Sequence, residues 1–95
     1  MDAITRVETL NEAFKAAQRR VPFLYQHSSW LALYQPLDLQ RARLFIINPH
    51  RYPQPNEYAN AMAEMAIFVA HAQPKRFERN GWRCLLFDLE RKTLQ

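Results

Sequence analysis

Apolar residues recur at spacings of three and four near the start of the chain, at Ile4, Val7, Leu10, Phe14 and Ala17. That period predicts a helix over residues 4–20 with one apolar side. Thr5 with Glu8, or Thr9 with Glu12, fits a capping box at its start. Arg6, Glu12, Lys15 and Arg19 form its polar side. Pro22 stops it, because the residue before a proline is pushed towards extended geometry. A second helix is predicted over residues 56–72. Tyr58, Met62, Met65, Val69 and Ala72 share one stripe there, and Ile67, Phe68 and several alanines widen it. An apolar arc this broad belongs to a helix that is central in the core or shared with a partner.

Between and after these segments the pattern changes. Residues 42–47 form a β-branched, apolar run that predicts a strand buried on both faces. Residues 21–26 and 30–34 are short aromatic-rich runs that periodicity alone does not assign. Residues 48–55 contain Pro49, Pro53 and Pro55, which exclude an ordinary helix or central strand and predict an ordered loop. Asn80 and Gly81 form a turn signal between two apolar runs and predict a hairpin ending in a strand over residues 82–88. Trp82, Leu85, Leu86 and Leu89 also fit helical spacing, so a helix competes there. The fold expected is α+β, two helices packed on a small, mainly antiparallel sheet, with an all-α domain as the alternative.

Composition narrows the picture. The chain has 95 residues, 48% of them apolar and 13% aromatic. This predicts one compact domain, residues 1–95, small enough for dimerisation to add useful stability. One cysteine, Cys84, excludes an intrachain disulfide and gives no reason to expect an oxidising compartment. No apolar stretch matches a signal peptide or a membrane span, so a cytoplasmic location and no membrane partner are expected. The formal charge is +4. Arginine dominates the cations and suits planar, bidentate partners.

Candidate chemistry is sparse. His27, His50, His71 and Cys84 lack the close spacing of a metal site. A single glycine builds no phosphate cradle, and the Ser, Cys and carboxylate positions form no catalytic motif. The expectation is therefore a protein with no catalytic residues, metal or cofactor. Methionines re-pack around partners, and Tyr and Arg are enriched at binding hot spots. The exposed proline-rich loop offers His50, Arg51 and Tyr52, and the second predicted helix offers Tyr58, Met62 and Met65. These six are the candidate partner-binding residues, and a homodimer through residues 58–72 is expected from the same arc. The function expected is a small regulator that inhibits or sequesters a larger protein, such as an anti-activator of a transcription factor or an inhibitor of an enzyme. The alternative is single-stranded nucleic-acid binding through Lys75, Arg76, Arg79, Arg83 and Trp82, where cations interleave with an aromatic.

Overall fold

The computed structural model describes residues 23–27, 29–70, 72–79 and 81–93. The helix expected over residues 4–20 lies outside the described residues. Among these, six strands and one short helix follow in the order β1 (Phe23–Gln26), β2 (Leu31–Pro36), β3 (Arg41–Asn48), α1 (Ala59–Glu64), β4 (Phe68–Ala70), β5 (Lys75–Arg79) and β6 (Trp82–Arg91). All pairings are antiparallel. The strands form one sheet in the order β1-β2-β3-β6-β4, with β5 also on β6. β3 covers Arg83–Glu90 on one side of β6; β5 and β4 share the other side, opposite residues 82–86 and 89–91.

This architecture corrects the expected fold. The described structure is mainly a six-stranded antiparallel sheet with one short helix, neither two helices on a small sheet nor an all-α domain. The correction centres on residues 56–72. Only residues 59–64 are helical, and Tyr58 at the N-terminus makes no side-chain cap. Beyond them the bonding tightens: Met65, Ala66 and Phe68 donate to carbonyls three residues back, at 3.1, 3.2 and 2.9 Å. The chain then leaves the helix and pairs as β4 with the end of β6. The broad apolar arc was thus two elements, each with its own period. Tyr58, Ala61 and Met65 point into the core, while Ile67 and Val69 alternate outwards around Phe68.

Alternation along β3 explains the core. Ala42, Leu44, Ile46 and Asn48 are buried, and their ladder partners on β6 are Leu89, Phe87, Leu85 and Arg83. Directly opposed residues share a face, so this inner face also carries Ala32, Tyr34, Phe68 and Arg76. Tyr58, Ala61 and Met65 join the inner-face residues in one cluster. The sheet curls around them. β2 and β4 are three strand spacings apart, about 14 Å in a flat sheet, yet the Tyr34 and Phe68 rings lie 6.2 Å apart. The six-residue helix is therefore held by packing in a concave surface, since so short a segment has little helical stability of its own.

The outer face carries a second apolar set. Phe77, Cys84, Ile47 and Leu31 form one row across four strands, and Leu86, Phe45 and Leu33 form the next. Charge closes this set: Arg43 pairs with Asp88 at 3.5 Å, and Lys75 reaches the same carboxylate at 3.9 Å.

The β5–β6 turn requires its glycine. Gly81 has φ of 79°, a left-handed conformation that side chains resist. A Cβ there would meet nothing within 4 Å, so only backbone strain opposes substitution. Gly81→Ala is expected to cost about 1 kcal/mol, measured as a shift in urea midpoint. A neutral outcome would mean that the turn relaxes.

Candidate functional site

The sheet has two dissimilar ends. At one, β3 leads into the loop of residues 49–58 and β5 turns into β6; at the other lie the β2–β3 turn, the start of β4 and the end of β6.

The loop end brings the sequence candidates together. The Asn48 side chain is buried, and its Oδ1 accepts the His50 and Arg51 amides at 2.7 and 3.4 Å. That bend starts the proline-rich loop and buries Pro49 and Pro53. His50 and Arg51 are exposed, and Arg51 forms an ion pair with Glu57. Tyr52 is half-buried against the core, with the Arg76 guanidinium 5.2 Å from its ring centroid. Met62 is also half-buried on the core, whereas Tyr58 and Met65 are buried within it. Burial raises the Tyr58 pKa, and the Arg76 charge opposes that shift. Asn48→Ala would strand two amides and is expected to cost about 1–3 kcal/mol, read from urea unfolding. No loss would show that water replaces the carbonyl.

The cationic set is divided by the pleat. Arg76 and Arg83 fall on the inner-face positions, Lys75, Arg79 and Trp82 on the outer. Arg83 donates to the Pro49 carbonyl at 3.3 Å and pairs with Glu78 at 3.5 Å. Arg76 is engaged with Tyr52 and Lys75 with Asp88. Trp82 is half-buried. Arg76, Arg83 and Lys75 brace the hairpin and loop, and the set is split between the two faces of the sheet.

The turn end holds residues that sequence reading missed. The exposed large hydrophobics among the described residues are Leu37 at 46%, Leu39 at 82%, Ile67 at 56% and Val69 at 43%. All four belong to this end. Asp38 shapes the turn, its Oδ1 accepting the Gln40 and Arg41 amides at 2.7 and 2.8 Å. The Arg91 amide donates to Gln40 at 2.7 Å, and the Lys92 amide to Ile67 at 2.9 Å. The end of β6 thus bonds to both segments that carry these residues, the β2–β3 turn and the lead into β4. Three shallow depressions of about 530, 380 and 300 Å³ lie here, lined by residues that include Leu37, Leu39, Gln40, Glu90 and Lys92. The available signal was two leucines in a turn beside Asp38, where solvent-facing residues are the rule.

Cys84 is buried and donates weakly to the Trp82 carbonyl at 3.9 Å. Burial pushes its pKa up to about 11, against the pull of Arg79. The folded state therefore holds this proton more tightly than the unfolded chain. The stabilisation is full below the ordinary value of 9.0 and is lost as pH rises towards about 11. The urea midpoint is expected to fall between those limits, and less so in Cys84→Ala. A midpoint that rises there would contradict the assignment.

Among the described residues no group of three or more His, Cys, Asp or Glu is placed to hold a metal ion. No helix among them is long and apolar enough to cross a membrane. Comparison with protein-family models, curated proteins and solved structures finds no match.

Proposed function

We propose that this chain is a small, non-catalytic regulator that binds a larger protein through the turn end of its sheet. The observation that carries the reading is the gathering of Leu37, Leu39, Ile67 and Val69 at one end, all exposed. Isolated surface hydrophobics are ordinary, but a grouped set marks an interaction surface. The charged rim of Arg41, Glu90, Arg91 and Lys92 around this group gives the apolar-centre, polar-rim arrangement of protein interfaces. The engagement of Arg76, Arg83 and Lys75 within the protein weighs against a nucleic-acid groove.

Affinity capture from the native host tests this, with washes at low and high salt. A protein retained at high salt is expected, because apolar burial is not screened. The Arg76→Ala/Arg79→Ala variant should still retain it, with at most a modest loss. Recovery of nucleic acid that high salt removes, and that the same variant fails to bind, would overturn the reading.

A further inference from the structure

Strand β4 exposes part of its backbone. Lys92 N–H donates to the Ile67 carbonyl, which makes 67/92 a hydrogen-bonded position of the β4–β6 ladder. Such positions alternate in antiparallel pairs, so the 69/90 pair continues the ladder. Phe68 and Ala70 consequently turn their main-chain polar groups away from β6. The Phe68 amide is used by Met65 O at 2.9 Å. The Phe68 carbonyl and the Ala70 amide and carbonyl face the open side, where β4 has no strand partner among the described residues.

The two strands that share this edge are protected very differently. β5 carries exposed Lys75, Arg76 and Arg79, the charged guard that discourages strand pairing. β4 carries Phe68, Val69 and Ala70, preceded by Ile67, and has no charge. An apolar, unguarded edge strand is a template for an added strand. Its neighbour supplies the charge preference, since a strand running along the edge leaves β4 and meets the cations of β5.

We propose that the free edge of β4 receives an extended segment of the protein partner, paired antiparallel, with alternating apolar residues beside Ile67 and Val69 and acidic residues on its N-terminal side, next to β5. This inference rests on the protein-binding reading and adds the mode of recognition. Main-chain bonds from Phe68 and Ala70 would supply register, and the exposed Ile67 and Val69 side chains would supply apolar contact.

Ala70→Pro is the discriminating variant. It removes the outward amide, and proline is tolerated on an edge strand where the amide faces solvent. The probe is a labelled synthetic peptide that alternates valine with threonine and carries glutamates at its N-terminal end. Fluorescence anisotropy is expected to show binding by the natural chain and roughly tenfold weaker binding, or less, by Ala70→Pro. Moving the glutamates to the other end should also weaken binding. Should Ala70→Pro unfold, amide exchange at Ala70 in the natural chain replaces it, and the peptide is expected to slow that exchange. Failure of the peptide to bind, equal binding by Ala70→Pro, or unchanged exchange at Ala70 would overturn strand addition. A captured protein partner that binds Ala70→Pro normally would also overturn it while leaving the protein-binding reading intact.

Discussion

Leu44→Ala is expected to lower the stability of this protein by about 2–5 kcal/mol. Leu44 is 0% exposed, on the inner face of β3, with Tyr34 and Phe87 opposite it in the two adjoining strands. Neighbours fixed by a ladder on both sides cannot readily close a cavity, which puts the loss towards the upper part of that range. Native domains hold only about 5–15 kcal/mol in total, so the variant would be marginal. Leu33→Ala is the internal comparison: the same chemistry, but half-buried on the outer face. Urea unfolding should show a clearly smaller loss for Leu33→Ala. Equal losses would contradict the assignment of the main core to the inner face.

The second large effect concerns binding. Leu39→Asp combined with Val69→Asp should leave the fold nearly unchanged, because both side chains project from the surface. Burying each apolar anchor contributes about 1.5–3 kcal/mol. Losing both corresponds to a Kd weaker by roughly a hundredfold or more. Each substitution also places a charge in a desolvated contact, which adds to the loss. Calorimetric titration with the captured partner checks this, alongside a urea melt of the free variant. An unchanged Kd would remove the turn end from the interface.

Much of the sheet was legible in the chain. The run from Ala42 to Ile47 reads as a strand on its β-branched content, although period alone does not separate it from buried helix, and it forms the centre of β3. The Asn80–Gly81 signal predicts a hairpin even though Trp82, Leu85 and Leu89 also fit a helix, and β5 does pair with β6. The aromatic runs near Tyr25 and Leu33 became strands through pairing with β3, a long-range effect that local period does not report. Residues 56–72 misled for a related reason. Alanine and methionine favour helix, but Phe68 and Val69 sit beside an unfilled length of β6, and pairing there prevails over propensity. The interaction surface was less legible than the fold. Tyr58 and Met65 are hot-spot residue types by composition, yet burial in the concave face uses both. Leu39 and Val69 become informative only when β6 brings the turn and β4 to one end.

Amide hydrogen exchange on the chain with and without its captured partner shows whether the turn end is the interface. Exchange maps the covered backbone without any substitution. Exchange is expected to slow over residues 37–41 and 67–70 on complex formation, with residues 49–55 unchanged. Protection confined to the loop and the basic hairpin, with the turn end exchanging as in the free chain, would contradict it.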